Sequence, residues 1–427
     1  MIALLFVFLF TLIALGVEIW AAMGISALLY MLVRGDIVLD LVAATMVAGV
    51  DHFSLLAIPF FMLVGEVMNA SGITRVLAEF VHYLVGRLKG GLAYVCVIVN
   101  MVMAGVSGSA VADATAVSSV LLPMMDKKGY PKPFAAAINA AAAVAGPIIP
   151  PSIPMVFIGV ISGISIGQLF LGGLVPGLLM GVVLCAFVFF FARRRDLPLE
   201  QVAVSWSGFL KLLRTAALAL VAPLVIIAGV VLGVVTVTEV AILAAAYVLF
   251  IAIFVYRTLP LREVPAVFAR AAVFSTVIMM IFASVGIYSY VVVLERLGPR
   301  LAELFVAWNF DKYMFLMAAN IFFLLMGMII DAVPVMLIFF PVLLPISIEL
   351  GIDPVHFGVV VVINLVIGLL TPPIGALLFL EAKLADISFG ALNRAVWPLT
   401  LTLLGVLLLA TYIPAIVTFV PDLVFGP

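Results

Sequence analysis

Two apolar stretches of this chain are interrupted in the same way, each by a glycine followed four residues later by a Pro-Pro pair. The first interruption runs from Gly146 to Pro151 and the second from Gly368 to Pro373. Two consecutive prolines remove backbone donors and clash with the preceding turn, so a helix opens there. Inside lipid, open backbone is tolerated only where protein or a water-filled cavity satisfies its polar groups. A matched pair of broken helices, one in each half, is typical of a transporter's binding site.

The composition places the chain in a lipid bilayer. Of its 427 residues, 67% are hydrophobic and 10% are charged, whereas a soluble domain carries about 25% charged residues. The sequence therefore indicates an all-α polytopic membrane protein. Its net charge of −1 gives no basis for nucleic-acid binding. Because it contains no glycine-rich Lys-Ser/Thr phosphate loop, the chain is not predicted to use ATP.

Apolar runs of about 17–25 residues predict membrane-spanning helices. The predicted spans are 3–33, 53–69, 133–163, 168–191, 212–235, 240–256, 271–294, 354–380 and 397–419. Spans 133–163 and 354–380 contain the two interruptions, and span 3–33 is long enough to be kinked at Gly16 or Glu18. The first helix begins without a basic leader or a cleavage site, so it is expected to be retained as a span.

Two further apolar regions, 90–125 and 313–348, do not fit single spans. Each is too long for one helix and, once its glycine-rich centre is subtracted, too short for two complete spans. We predict two re-entrant hairpins, in which half-depth helices meet at a turn within the membrane. Such a turn is allowed where protein surrounds it.

The two halves share their landmarks in the same order: an asparagine, a glycine-rich tip, an aspartate, a proline, a glycine and the Pro-Pro break. The first copy contains Asn100, Asp113, Pro123, Gly129 and Pro150, and the second contains Asn320, Asp331, Pro341, Gly351 and Pro372. Basic residues flank the first hairpin but hardly the second, so the positive-inside rule places their ends on opposite faces of the membrane. The halves are therefore predicted to be inverted repeats.

Asp113 and Asp331 each lie beside a predicted hairpin tip. A carboxylate within a membrane segment indicates a functional site by default. The alternative is that each caps the N-terminus of a half-helix, where the helix dipole favours negative charge.

Other polar groups lie at the same depth. Hydroxyls are supplied by Ser107, Ser109, Ser152 and Thr371. Together with the carbonyls of unwound turns they predict an oxygen cage suited to Na⁺, while half-helix N-termini suit an anionic substrate. Four buried amides are interpreted first as struts between helices and second as ligands: Asn100, Asn139, Asn320 and Asn364.

A nucleophilic Ser107 of an intramembrane protease is an alternative function. That chemistry needs a base within hydrogen-bonding reach of the serine. The three histidines, His52, His82 and His356, are not predicted to lie in the middle of the membrane. Transport is therefore the favoured interpretation, and no enzymatic activity is predicted.

Four motifs closely resemble one family along essentially the whole chain. They are residues 105–113 (GVSGSAVAD), 146–154 (GPIIPPSIP), 351–358 (GIDPVHFG) and 368–375 (GLLTPPIG). The chain resembles the large membrane subunit, DctM or SiaM type, of tripartite ATP-independent periplasmic (TRAP) transporters. The resemblance implies a multi-pass protein of the bacterial inner membrane. It also implies Na⁺-coupled uptake of a small organic acid.

The resemblance also implies an elevator-type fold and two partners, a separate four-helix membrane subunit and a periplasmic substrate-binding protein. The implied organisation is scaffold helices in 1–89, a first transport repeat in 90–192, further scaffold helices and an arm in 193–312, a second transport repeat in 313–385 and a C-terminal helix in 386–427.

The family's sites can be carried over residue by residue. The resemblance implies one Na⁺ site at Ser107, Ser109, Gly146, Ile149 and Pro151, and a second at Gly327, Asp331, Gly368, Thr371 and Pro373. It implies substrate contacts from Ser109, Asp113, Ser152, Pro154 and Asp331. A stand-alone ion-coupled carrier of the same superfamily remains an alternative, as does an ATP-driven permease subunit. The acid could be a C4-dicarboxylate, a sialic acid, a sugar acid or a sulfonate.

Overall fold

The computed structural model of the chain describes residues 2–35, 39–195, 197–199, 205–231, 235–307, 310–372 and 374–426. One predicted Na⁺ ligand, Pro373, lies outside these residues. Within them, the chain forms twenty α-helices and no strand.

The helices of the first half are α1 (Ile2–Ala14), α2 (Ile19–Arg34), α3 (Leu39–Val50), α4 (Ala57–Ala70), α5 (Ile73–Val85), α6 (Gly91–Ser107), α7 (Ala110–Lys127), α8 (Lys132–Ala143), α9 (Ile153–Ser162) and α10 (Ile166–Arg195). Those of the second half are α11 (Trp206–Val231), α12 (Val237–Phe250), α13 (Val264–Leu294), α14 (Leu297–Ala307), α15 (Lys312–Ile329), α16 (Ala332–Glu349), α17 (Pro354–Gly368), α18 (Ala376–Leu384), α19 (Phe389–Tyr412) and α20 (Ala415–Phe425). In the described part of the chain, eight helical segments are long and apolar enough to cross a membrane.

At both ends of the chain, a region that the sequence predicts as one helix consists of two helices. The run 3–33 is two helices rather than one kinked span, because the chain turns at Gly16, whose φ of +81° is accessible to glycine, and α1 then packs against α2. The predicted C-terminal helix 386–427 is also two helices, α19 and α20, separated at Ile413 and Pro414.

Both predicted hairpins are present. The first consists of α6 and α7 and turns at Gly108, and the second consists of α15 and α16 and turns at Ile330. Their helices have 17 or 18 residues, about 26 Å of helix, so the arms are longer than half-depth. The turns nevertheless contact the two helix breaks, which divide their apolar runs near the middle.

The breaks are confirmed, and the contacts between helices follow the repeat. Helices α8 and α9 are separated by 144–152, and α17 and α18 by 369–375. Each hairpin packs on the broken helix of its own repeat, α7 against α8 and α16 against α17. Each also packs on the short half-helix of the other repeat, since α7 contacts α18 and α16 contacts α9. The two inverted repeats, which contain α6–α10 and α15–α18, therefore interlock.

Helices outside the repeats form the surroundings of this unit. Helix α13 packs against α2, α3 and α4, and α12 packs against α4 and α11. An ion pair of 2.9 Å joins Arg270 Nε on α13 to Glu66 Oε2 on α4. Where α13 meets the first repeat the contact is aromatic, with the rings of Phe157 and Phe282 5.1 Å apart.

We predict that Gly368→Ala destabilises the fold. A Cβ at Gly368 would lie 2.7 Å from the carbonyl carbon of Gly327, so the two backbones would have to separate. Overpacking of this kind costs roughly 1–3 kcal/mol, and the melting temperature of the purified protein in detergent should fall. Gly405→Ala is the control, because a Cβ at Gly405 on α19 meets nothing within 4 Å. Equal melting temperatures for the two variants would contradict the prediction.

Candidate functional site

The tip of the first hairpin rests directly on the first helix break. Gly108 ends α6 with a φ of +62°, and Ser109 caps α7 by accepting a hydrogen bond from the Ala112 N–H at 3.4 Å. A Cβ at Gly108 would lie 2.5 Å from the Pro151 carbonyl oxygen. Only a glycine therefore permits this approach as well as the left-handed turn.

Behind this tip, Asp113 is fully buried. The Ser107 hydroxyl donates to Asp113 Oδ1 at 2.5 Å and accepts from the Ser109 N–H at 3.2 Å. The second oxygen, Asp113 Oδ2, has no hydrogen-bond partner among the described residues. It faces the break, since a Cβ at Gly146 would lie 2.5 Å from it. Asp113 is therefore not the cap of its helix, and one of its oxygens is free to meet a cation.

The first break exposes backbone carbonyls. The N–H groups of Gly146 and Ile149 are bonded to the carbonyls of Ala143 and Ala145. Over the described ranges, the carbonyls of Gly146, Ile149 and Pro151 accept no hydrogen bond. These carbonyls belong to the residues that were predicted to hold the first Na⁺. With a buried orphan carboxylate oxygen beside them, the donor set fits a hard cation.

The second tip meets the second break through two glycines. A Cβ at Gly327 would lie 3.0 Å from the Leu365 carbonyl oxygen and 3.3 Å from the Gly368 Cα. The Gly375 N–H donates to the Met328 carbonyl at 3.2 Å, which ties the far side of the break to the tip. The structure therefore brings together the predicted residues Gly327 and Gly368.

Asp331 and Thr371 lie at the same junction. Asp331 is exposed and caps α16 by accepting a hydrogen bond from the Val333 N–H at 3.1 Å. This is the helix-capping role that the sequence offered as an alternative for this residue. The Thr371 hydroxyl is buried and donates to the Ile367 carbonyl at 2.7 Å. Thr371 thus presents an oxygen at the open end of α17, while Asp331 retains an oxygen for a ligand.

A cavity of about 160 Å³ connects both tips and both breaks. Its wall includes three of the predicted substrate contacts, Ser109, Pro154 and Asp331, and it also includes Met62 of α4 and Ile278 of α13. The cavity therefore lies between the unit formed by the two repeats and the helices that surround this unit.

Two predicted substrate contacts lie elsewhere. Asp113 and Ser152 are fully buried and are absent from the cavity wall. The Ser152 hydroxyl donates to the Pro147 carbonyl and accepts from the Met155 N–H at 3.2 Å, so it caps α9 and braces the break. In this conformation Ser152 supports the site from behind.

The electrostatics of the cavity come from helix ends. The first residues of α7, α9 and α16 line it, so the positive ends of three helix dipoles meet at one space. Among the described lining residues the only ionisable side chain is Asp331. The cavity can bind an anion through backbone dipoles, and it places a carboxylate next to that anion.

The four asparagines form struts between helices, as predicted, although Asn320 is only half-buried. Asn100 Nδ2 on α6 donates to Asn139 Oδ1 on α8 at 2.8 Å. In the second repeat Asn364 Nδ2 on α17 donates to Asn320 Oδ1 on α15 at the same distance, 2.8 Å. The two pairs occupy equivalent places in the repeats.

Sequence reasoning missed Glu381. The predicted span ended at residue 380, which left Glu381 at its edge, but the structure buries this side chain completely on α18. The available signal was that Glu381 is the first Asp, Glu, Lys or Arg after Asp353. The Ser107 hydroxyl, considered above as a possible nucleophile, donates to the Asp113 carboxylate, and His356 is bonded to the Ala410 carbonyl at 2.8 Å.

Two relatives are similar to this chain over nearly its whole length. The large permease YiaN of the 2,3-diketo-L-gulonate TRAP transporter of Escherichia coli is 38% identical over 97% of this chain and 96% of its own length. The large permease SiaM of the sialic acid TRAP transporter of Vibrio cholerae is 34% identical over 96% of each chain.

A third relative is longer than this chain. The isethionate TRAP transporter permease DctMQ of Oleidesulfovibrio alaskensis is 36% identical over 95% of this chain, which spans 64% of the relative's length. A crystal structure of the YdaH transporter of Alcanivorax borkumensis matches with a TM-score of 0.64 at 15% identity, covering 86% of each chain, and this likeness concerns the fold. Residues 6–416 match the family described as tripartite ATP-independent periplasmic transporter, DctM component. The chain belongs to this family.

Proposed function

We propose that this chain is the large membrane subunit of a transporter that carries a small organic acid across the bacterial inner membrane together with Na⁺. The observation that carries the proposal is the charge balance of the site. A cavity suited to an anion is lined by one carboxylate, Asp331, and contains no basic side chain among its described lining residues. A second carboxylate, Asp113, is buried behind it.

This balance favours obligatory coupling to cations. An organic acid entering the cavity would add negative charge beside Asp331 and near Asp113, and unpaired charge in a low-dielectric site is strongly unfavourable. Helix N-termini supply only partial positive charge, about half an elementary charge each. Cations that enter with the acid would remove the repulsion, so binding of one would strengthen binding of the other.

The ligand atoms favour a metal cation such as Na⁺. At the first junction, the free carbonyls of Gly146, Ile149 and Pro151 and the hydroxyls of Ser107 and Ser109 would surround it, next to Asp113 Oδ2. At the second junction, the ligands would be oxygens of Gly327, Asp331, Gly368 and Thr371, with Pro373 as the remaining predicted ligand. Oxygen ligands of this kind suit hard cations.

The cavity volume supports a small substrate. A volume of about 160 Å³ is smaller than the roughly 300–1,000 Å³ typical of pockets for drug-sized ligands. The carboxylate or sulfonate would bind at the N-termini of α7, α9 and α16, with Ser109 as a hydroxyl donor and Pro154 at the wall.

Alternating access by an elevator motion fits the contacts. The two repeats interlock and would move as one transport unit, comprising 90–192 and 313–385. Contacts with the expected scaffold, 1–89 and 193–312, include the aromatic pair Phe157–Phe282 and a close approach of Gly65 to Ser107. Apolar and glycine-mediated contacts can slide without breaking strong polar bonds. Helix α19 packs on α8 and α10 and would move with the unit.

We further propose that the chain works with a separate small membrane subunit and a periplasmic binding protein, which the tripartite character of the family supports. The binding protein would be identified first, by thermal-shift screening against organic acids. Uptake of the acid so identified would then be measured in proteoliposomes.

We predict that this uptake requires all three components and a Na⁺ gradient directed into the vesicle. Dissipating the gradient with a Na⁺ ionophore should reduce uptake to the background of empty vesicles, because the acid cannot bind stably without its cation. Uptake by this chain alone would favour a stand-alone carrier instead. Uptake that persists without Na⁺, or that needs ATP, would refute the proposed coupling.

Asp113→Asn is predicted to weaken Na⁺ binding. The asparagine still offers an oxygen that can accept the hydrogen bond from the Ser107 hydroxyl. Loss of the charge next to the free carbonyls should raise the Na⁺ concentration for half-maximal uptake at least about tenfold, which equals about 1.4 kcal/mol. The control is Asp422→Asn, the same change at an exposed position on α20. If Asp113→Asn and Asp422→Asn have the same Na⁺ dependence, Asp113 has no part in the site.

Asp331→Asn tests the second junction separately from helix capping. Asparagine caps helices about as well as aspartate, so α16 should stay formed and the melting temperature should change little. We expect the Na⁺ dependence of uptake to weaken by about tenfold, because a charged ligand at the cavity is lost. Unchanged uptake kinetics in a variant that is folded would show that Asp331 serves only as a cap.

A further inference from the structure

The buried carboxyl of Glu381 lies outside the proposed Na⁺ and substrate sites. It sits on α18 with no exposed surface, and it accepts hydrogen bonds from two other helices. Asn139 Nδ2 on α8 donates to Glu381 Oε1 at 2.7 Å. The Ser118 hydroxyl on α7 lies 3.0 Å from Oε1 and 2.9 Å from Oε2. Glu381 thus ties the half-helix of the second repeat to the hairpin and broken helix of the first.

The charged surroundings of Glu381 are sparse. The ionisable groups on the elements that pack against α18 are Asp113, Asp126 and Lys127 on α7, Lys132 on α8, and Arg394 and Tyr412 on α19. On α18 itself and just after it lie Lys383 and Asp386, and Cys96 on α6 donates to Asn139 Oδ1 at 3.2 Å.

No ion pair connects Glu381 to a cation in the described part of the chain. Along the axis of α7, Asp113 is about 7 Å and Asp126 about 12 Å from Ser118. An ionised Glu381 would therefore be an uncompensated buried charge, held by hydrogen bonds alone.

A cavity of about 300 Å³ leads from the protein surface to this network. Ser118 lines its inner part, and Asp126, Lys132 and Asp386 also line it. The side chains of Asp126 and Lys132 are about half exposed, at 52% and 49%. Lys127, Lys128 and Lys132 lie where α7 connects to α8, and by the positive-inside rule they place the opening on the cytoplasmic face. Water can therefore approach the hydroxyl that contacts Glu381.

The hydrogen bonds can serve both states of the carboxyl. A hydroxyl both donates and accepts, so Ser118 can donate to an ionised Glu381 or accept from a protonated one. Asn139 Nδ2 also lies 2.7 Å from the Ser118 hydroxyl and 3.0 Å from the Ala114 carbonyl, so it retains partners in either state. A change of protonation therefore does not leave a group of this network unsatisfied.

We propose that Glu381 is a proton-binding site that exchanges with the cytoplasm through this cavity and makes transport by this chain dependent on internal pH. An O–H bond forms at Oε2 with a proton taken from solvent, and the same bond breaks when the proton returns. In the ionised state the carboxylate holds α7 and α8 to α18 through charge-assisted hydrogen bonds, which are about twice as strong as neutral ones. Protonation loosens this tie between the repeats.

Infrared difference spectroscopy of the purified protein tests the site without any transport assay. Spectra are recorded while the pH is changed from about 5 to about 9, a range that covers carboxyls shifted by burial. We expect a protonated-carboxyl C=O band that titrates in the wild type and is lost in Glu381→Gln. Glu303→Gln, the same change at an exposed residue of α14, should keep the band. An unchanged set of titrating bands in Glu381→Gln would overturn the proposal.

Ser118→Ala provides a second test in case the amide variant fails to fold. It keeps Glu381 but removes the hydroxyl between the carboxyl and the cavity. The midpoint of the titrating band should then move, and an unmoved midpoint would contradict the proposed connection.

The transport consequence rests on the proposed function and is measured separately. In proteoliposomes with a fixed external pH and a fixed Na⁺ gradient, changing the internal pH should alter wild-type uptake at least about fivefold, and Glu381→Gln should flatten this dependence. A profile in Glu381→Gln identical to that of the wild type would refute the coupling. Absence of uptake in the wild type would instead count against the proposed function, and the infrared titration would still decide whether Glu381 binds a proton.

Discussion

The need to satisfy open backbone inside a membrane governs this structure. Two helices are unwound in the middle of their apolar runs, and lipid offers no partner to the groups set free. The protein covers each break with the tip of a helical hairpin, and glycines at the junctions let backbone approach backbone. Gly108 meets Pro151 at the first junction, and Gly327 meets Gly368 at the second. The repeats interlock as a result, because each hairpin also packs on the half-helix that follows the break in the other repeat.

The same constraint creates the candidate site. In the proposed function, carbonyls that cannot bond within a helix would serve as ligands for cations, and the helices that start after the turns would present N–H groups to a shared cavity. Charge would then decide what the site does. The cavity is lined by Asp331, Asp113 is buried behind it, and no basic side chain occurs among the described lining residues, so an anion would be accepted only together with cations. Under this proposal, coupling would follow from the absence of positive side chains among these lining residues.

Much of this arrangement could be predicted from the sequence because prolines and glycines act locally. The breaks near Pro150 and Pro372 and the hairpins follow from the special backbone geometry of these residues and from their equal spacing in the two halves, and the asparagine struts follow from the need of amides inside a membrane for hydrogen-bond partners. The different fates of Asp113 and Asp331 could not be predicted. Both occupy the same place in the repeats, yet one is sealed behind a hairpin and the other lines the cavity. Burial depends on packing between distant helices, which spacing does not encode.

Packing also explains the other differences. The turn at Gly16 and the break before α20 separate helices within runs whose hydropathy is continuous. Glu381 lies at the edge of its apolar run in sequence but at the centre of a three-helix junction in space. The residues that line the cavity from outside the repeats, Met62 and Ile278, carry no signal that distinguishes them from other apolar side chains in their spans.

The struts of the two repeats have a further consequence. Were the halves of an inverted repeat identical, the conformations open to either side of the membrane would be related by symmetry and would have equal free energies. The pair Asn320–Asn364 ends on Thr411, whereas Asn100–Asn139 continues through Ser118 to Glu381. This difference removes the degeneracy. Under the proposed alternating access, a resting preference for one side would therefore be set by the residues by which the two halves differ, and a difference of about 1.4 kcal/mol would shift the two populations tenfold.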